Sequence, residues 1–136
     1  MCHPAAEAAA LFGRCLLAAL FLHEAWSKIT AYSAAIAYAK AFGVPEQLLP
    51  VAIAVEVGCA ISILLGYYAR AGALLLAAFC VATAVLFHLR WSNRNELLHF
   101  EKDLAIAGGL LVLFARGAGG WALDALRQGK RIANGE

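Results

Sequence analysis

The chain has 136 residues, of which 63% are hydrophobic and 15% are charged, and it carries a formal net charge of +2 with a mean hydropathy of +0.74. This composition excludes an ordinary soluble globular domain. The basic residues are scattered and do not form the basic patch that is typical of nucleic-acid binding. We therefore predict one integral membrane domain over residues 1–136, with no separate soluble catalytic domain.

The first apolar run, residues 8–28, is predicted to be an uncleaved first membrane span. No Lys or Arg precedes it and Arg14 interrupts it, which is unlike a cleaved signal peptide. The run ends at Trp26 and Lys28, residue types that suit a lipid headgroup boundary. The next segment, residues 33–42, is too short and too polar to span, and it is predicted to be an interfacial helix.

The second predicted span, residues 51–68, contains a single acidic or basic side chain, that of Glu56. A charged side chain facing lipid costs about 2.5 kcal/mol or more, so Glu56 is expected to face protein, either protonated or paired with a cation. Three small residues, Gly58, Ser62 and Gly66, recur every four positions and predict a close helix contact on a different face.

The second half of the chain supplies two more predicted spans. Span three covers residues 71–89 and is followed by Arg90 and Trp91, and a polar exposed loop is predicted over residues 92–103. Span four, residues 102–116, starts within that polar segment. The sequence therefore predicts an all-α membrane protein: an antiparallel four-helix transmembrane bundle with a short interfacial helix between spans one and two.

Antiparallel threading assigns each polar side chain to one end of this bundle. One end should collect His23, Glu24, Lys28, Glu56, His88, Lys102 and Asp103, and the other should hold Arg14, Arg70, Asp124 and the basic tail. Glu56 should lie about 9 Å inside, six residues beyond Pro50. We predict a polar cavity there that binds and exchanges protons with a polar headgroup, for instance the oxygens of a quinone. In the alternative, buried charged pairs only hold helices together.

Motifs for resident redox centres are weak in this sequence. The four cysteines show no CxxC or CxxH spacing. A haem between spans one and three would have one histidine ligand from each span, His23 and His88, which is weak support. A metal site formed by His23, Glu24, Glu56 and His88 is equally poorly supported. We predict no metal and no cofactor held by the chain itself apart from a quinone. A partner would then have to supply electrons.

A series of short motifs runs in order along nearly the whole chain: Gly13-Arg14, Ser27-Lys28-Ile29, Phe42-Gly43-Val44-Pro45, Glu56 with Gly58, Leu65-Gly66-Tyr67-Tyr68-Ala69-Arg70, Thr83 with Phe87-His88, Phe100-Glu101-Lys102-Asp103-Leu104 with Gly108-Gly109-Leu110-Leu111, and Gly117-Ala118-Gly119-Gly120-Trp121-Ala122-Leu123-Asp124. In order and spacing these motifs resemble the DoxX family. The resemblance implies a four-helix, multi-pass protein of the prokaryotic plasma (inner) membrane. Some members are membrane subunits associated with thiosulfate or quinol oxidation, or partners of proteins that handle oxidative stress.

The resemblance also implies a set of polar site residues, matched position by position: Arg14, Lys28, Glu56, Arg70, His88 and Lys102. It assigns no catalytic residue. One departure is Asp103, where the family commonly has Asn after the span-four lysine. The extra negative charge is expected to pair with Lys102 and to weaken the role of that lysine toward a ligand.

Three functional hypotheses follow. The first is an accessory membrane subunit, linked to a quinone or to redox chemistry, that works beside a soluble or membrane oxidoreductase. The second is a structural or assembly protein without catalytic activity. The third is a proton-linked permeation pathway, which four short helices could form only as a homo-oligomer. Both termini are predicted to be cytoplasmic because Arg127, Lys130 and Arg131 cluster in the tail.

Overall fold

The computed structural model describes residues 3–89 and 94–133, and these residues form helices and turns with no β-strand. The six helices are α1 (Pro4–Thr30), α2 (Tyr32–Ala41), α3 (Leu48–Leu65), α4 (Ala69–Phe87), α5 (Arg94–Arg116) and α6 (Leu123–Ala133). Three of them, α1, α3 and α4, are long and apolar enough to cross a bilayer. The all-helical membrane class predicted from composition is therefore confirmed.

The first two predicted elements are present as helices. Helix α1 starts at Pro4, where a missing amide proton costs nothing in the first turn, and carries Lys28 in its last turn. Helix α2 has ten residues and occupies the position predicted for the interfacial helix. It is too short to span a bilayer, as its length had indicated.

A tight turn at residues 66–68 joins α3 to α4, so both helices begin and end a few residues earlier than predicted. Gly66 caps α3 in the left-handed region at φ +66°, which glycine adopts without strain. Across the turn, Gly72 of α4 packs directly against Ser62 of α3, so the predicted close contact exists at that level. Gly58 takes no part in it, because the space beside its Cα is open.

Helix α5 differs most from the prediction. The loop predicted over residues 92–103 is wrong for residues 94–103, which form the first half of this helix, and its second half corresponds to predicted span four. Charged residues mark the first half as polar but do not prevent a helix, because its buried face packs along α4. The same charges keep α5 from qualifying as a span by composition, so the fourth crossing stays a prediction. Arg90 and Trp91 lie outside the described residues.

Neighbouring helices run in opposite directions. Arg14, early in α1, reaches the end of α3, whereas Lys28, late in α1, reaches the middle of α3. Helix α3 packs on α4, and α4 packs on α5. The core between them is built from small and branched side chains, including Ala18, Ala60, Ile63, Ala73, Leu76, Ala77 and Leu110. Small residues allow close helix packing where lipid removes the usual hydrophobic driving force.

Candidate functional site

Twelve of the ionisable side chains fall into two groups. We call the first the Glu56 end; it comprises Glu24, Lys28, Glu56, His88, Glu96, His99 and Asp103. We call the second the Arg14 end; it lies around the α3–α4 turn and comprises Glu7, Arg14, Arg70, Arg116 and Asp124. The prediction that threading would separate Glu56 from Arg14 and Arg70 is thus confirmed.

Glu56 and Lys28 form the central contact of the Glu56 end. The Lys28 ammonium donates a 2.8 Å hydrogen bond to Glu56 Oε1, which links α1 to α3. Only 2% of the Glu56 side chain is exposed, and its second oxygen, Oε2, has no hydrogen-bond partner among the described residues. Lys28 is 26% exposed and also lies 3.6 Å from Glu24, one helical turn earlier. Glu56 thus faces protein and contacts a cation, which is one of the two states expected from the sequence, and one buried acceptor remains unsatisfied.

His88 lies at the end of α4 and faces carboxylates from α5. Its Nδ1 is 2.6 Å from Glu96 Oε2, its Nε2 is 4.0 Å from Asp103 Oδ2, and its ring stacks on His99 with centroids 5.2 Å apart. Thr83, one turn earlier on α4, donates to Asp103 Oδ2 at 3.4 Å. This cluster joins α4 to α5 through side-chain contacts.

Lys102 occupies a different face of α5 from its neighbour Asp103. Its side chain is exposed, whereas Asp103 is partly buried and turned toward α4. The expected Lys102–Asp103 pair is wrong, because consecutive residues of a helix point about 100° apart. Asp103 therefore contributes to the His88 cluster instead of neutralising Lys102.

Arg14 is the most enclosed charged side chain at its end, with 1% of its surface exposed. Its guanidinium donates to three main-chain carbonyls: those of Ile63 and Leu64 at 3.4 Å each, and that of Trp121 at 2.6 Å. These carbonyls lie at the end of α3 and in the loop before α6. Arg14 thus connects three segments of the chain through backbone groups.

Two carboxylates at the Arg14 end also bind backbone. Asp124 accepts from the amides of Tyr68 and Ala69 at 3.0 and 3.1 Å and so caps the start of α4. Glu7 accepts from the amides of Gly120 and Trp121. Together these contacts fasten the loop before α6 to both α1 and the α3–α4 turn.

The structure therefore divides the six predicted site residues. Lys28 and Glu56 are in contact, His88 lies at the same end in its own cluster, and Lys102 faces outward. Arg14 and Arg70 belong to the opposite end, so the six do not line one cavity. Two surface grooves, of about 650 and 210 Å³, are lined by other residues than Glu56, His88 and Lys102. Within residues 3–89 and 94–133, no three His, Cys, Asp or Glu side chains are arranged to hold a metal.

Sequence reasoning missed Glu96 as the partner of His88, Thr83 as that of Asp103, and Glu7 as a backbone ligand. The Glu7 contact spans 113 positions, and nothing in the local sequence signals it. Asp124 was assigned to the correct end, but no contact was predicted for it. It caps the start of α4.

Comparison with known proteins adds the family. The DoxX family model matches residues 9–89, which include most of α1, all of α2 to α4, and all six site positions except Lys102. The chain belongs to the DoxX family. Among similar proteins, inner membrane protein YqjF of Escherichia coli (strain K12) is 40% identical over 116 residues, covering 85% of this chain and 89% of the relative. Inner membrane protein YphA of the same organism is 31% identical over 121 residues, covering 84% and 86%.

No solved structure gave a significant match to this DoxX-family chain. The Lys28–Glu56 pair lies inside the region that matches the family model, whereas Glu96 and Asp103 lie beyond it.

Proposed function

We propose that this DoxX-family chain is an accessory protein of the bacterial inner membrane that holds a quinone-type headgroup at the Lys28–Glu56 pair, beside an oxidoreductase partner. The observation that carries the proposal is the unsatisfied Glu56 Oε2, a buried acceptor next to an ammonium that stays partly exposed. A buried acceptor without a donor is costly, and a ligand hydroxyl would satisfy it.

The two groups match the two redox forms of such a ligand. The Lys28 ammonium is a donor and suits the carbonyl oxygen of a quinone, whereas Glu56 Oε2 is an acceptor and suits the hydroxyl of a quinol. Lys28, being partly exposed, meets the headgroup first, and the enclosed Glu56 carboxylate then turns toward it. The partner supplies the electrons, and this chain contributes binding and orientation.

The inner-membrane location is supported by the names of the two relatives and by the three apolar helices. We retain the antiparallel four-span bundle as part of the proposal, with α5 as the fourth crossing. Its second half is apolar, and α5 packs along α4 for much of its length.

The test measures binding of decylubiquinol and decylubiquinone to the purified full chain in detergent. Glu56→Gln keeps the size of the side chain and an acceptor for Lys28 but replaces the free acceptor by a donor. We expect at least a tenfold loss of quinol affinity, with the unfolding temperature within about 2 °C of the parent chain. Glu46→Gln is the matched control, because Glu46 forms an exposed pair with Lys40. Equal quinol affinity in the two variants, or no binding by the parent chain, would exclude the site.

A second candidate is the structural or assembly role, which is favoured by one observation: the Lys28–Glu56 pair directly joins two spans. In that case Glu56→Gln lowers the unfolding temperature and no quinone binds. Isolation from gently solubilised membranes provides an independent check. The accessory role predicts that a quinone and an oxidoreductase copurify with the chain, and the structural role predicts a partner without quinone.

A further inference from the structure

A groove of about 210 Å³ runs between α1 and α5 and ends among arginines. On α1 it is lined by Gly13 and Leu17, and on α5 by Gly109 and Val112; Arg14 and Arg116 also line it. Helix α1 packs mainly on α3 and α5 mainly on α4, so this seam between the first and last long helices stays open. Neither glycine has any atom near the position that a side chain would take.

Glu7 and Asp124 place two carboxylates near the charged end of the groove, but both accept hydrogen bonds from backbone amides. Among the described residues, no ion pair joins Arg14, Arg70 or Arg116 to an acid. Arg14 donates to backbone carbonyls, and its buried Nε has no partner. Arg70 lies over Gly117 at the mouth of the groove, with its Nε 3.2 Å from where a Cβ on that glycine would stand. Three guanidiniums therefore surround one end of an otherwise apolar channel.

We propose that this groove binds an anionic phospholipid. Arg116 and Arg70 contact the headgroup phosphate, and one acyl chain lies along Gly13, Leu17 and Gly109. Basic pockets between transmembrane helices recognise anionic headgroups, and the guanidinium fork matches phosphate geometry. The buried charge of Arg14 adds attraction for an anion without needing to reach it. This site lies at the Arg14 end, so it is independent of the quinone-type ligand proposed for the Glu56 end.

The test measures the unfolding temperature of the purified full chain in detergent with added phosphatidylglycerol or phosphatidylcholine. A ligand that binds only the folded state raises that temperature, and we expect phosphatidylglycerol to raise it by about 5 °C and phosphatidylcholine by much less. Native mass spectrometry should show one retained phosphatidylglycerol per chain.

Two matched pairs of variants locate the lipid. Gly109 lines the groove and Gly108 does not, so Gly109→Leu should fill the groove and Gly108→Leu should leave it open. Both glycines have open space beside them, so both variants should fold. The shift should disappear in the first and persist in the second. Arg116→Gln should lose at least half of the shift, whereas Lys102→Gln, an exposed cation at the other end, should keep it.

Three results would overturn the proposal. One is an equal shift with phosphatidylcholine, which would mean that charge plays no part. Another is an unchanged phosphatidylglycerol shift in Gly109→Leu, which would place the lipid elsewhere. The third is a full shift from inorganic phosphate alone, which would make the site a pocket for a soluble anion.

Discussion

The two ends of this DoxX-family protein use charge differently. At the Glu56 end, side chains pair with side chains: Lys28 with Glu56, and His88 with Glu96. At the Arg14 end they bind backbone: Arg14 to carbonyls, and Asp124 to amides. Pairs of side chains can be rearranged by a ligand or by a proton, whereas contacts to backbone fix the path of the chain. The contacts at the Glu56 end can therefore change when a ligand or a proton binds, whereas those at the Arg14 end hold backbone segments in place.

The largest effect should come from Arg14→Ala. It leaves three main-chain carbonyls without their donor and removes a side chain that is only 1% exposed. Hydrogen bonds from a charged group contribute about 1.5–3 kcal/mol each, so we expect the free energy of unfolding to fall by about 3 kcal/mol or more. Denaturant titration in mixed micelles measures it. Arg127→Ala is the control, because it removes an exposed guanidinium that lies over the rings of Tyr67 and Tyr68, and equal stability of the two variants would contradict the architectural role.

The next effect tests whether Lys28 and Glu56 act as a pair. Lys28→Met leaves a buried carboxylate without a cation and should lower the free energy of unfolding by about 3 kcal/mol. Glu56→Gln should change it by less than about 1 kcal/mol, because a hydrogen bond to Lys28 can still form.

The double variant of Lys28→Met with Glu56→Gln completes this cycle. It should be more stable than Lys28→Met alone, since the unpaired charge is gone. Purely additive changes in the free energy of unfolding would show that the two groups are not coupled.

A smaller effect is expected from Gly66→Ala at the α3–α4 turn. Glycine has φ +66° there, and an added methyl group would overlap the Arg14 guanidinium and Ala122. Backbone strain of this kind costs about 1–3 kcal/mol, so the free energy of unfolding should fall by about 2 kcal/mol. Gly58→Ala is the matched control, because that position is helical and open. Similar losses at the two positions would mean that the turn is not a fixed point of the fold.

The smallest effect should come from Lys40→Gln. Lys40 pairs with Glu46, but both side chains are about half exposed, and exposed pairs contribute about 0–1 kcal/mol. We expect a loss below about 0.5 kcal/mol that vanishes in high salt. A loss comparable to that of Lys28→Met would show that burial does not make the Lys28–Glu56 pair more important for stability than the Lys40–Glu46 pair.

Much of the architecture could be read from the residues alone. The apolar runs predicted α1, α3 and α4, and the lone acid of α3 was correctly expected to turn inward, with contact to a cation as one of two expected states. The start of α5 could not be read, because polarity suggested a loop while the packing of α5 on α4 favours a helix. Lys102 and Asp103 were separated only by the rotation of that helix.

The sequence by itself determined that this is a helical membrane protein, because the length of each apolar run sets whether it can span a bilayer. It also determined which charges share an end, because successive spans alternate in direction along the chain. Only the tertiary structure decided which groups meet. Arg14 reaches the Trp121 carbonyl across 107 positions, and Lys28 reaches Glu56 across 28. Such contacts depend on how each helix is rotated and how closely it packs, and those are set by side chains distant in the chain.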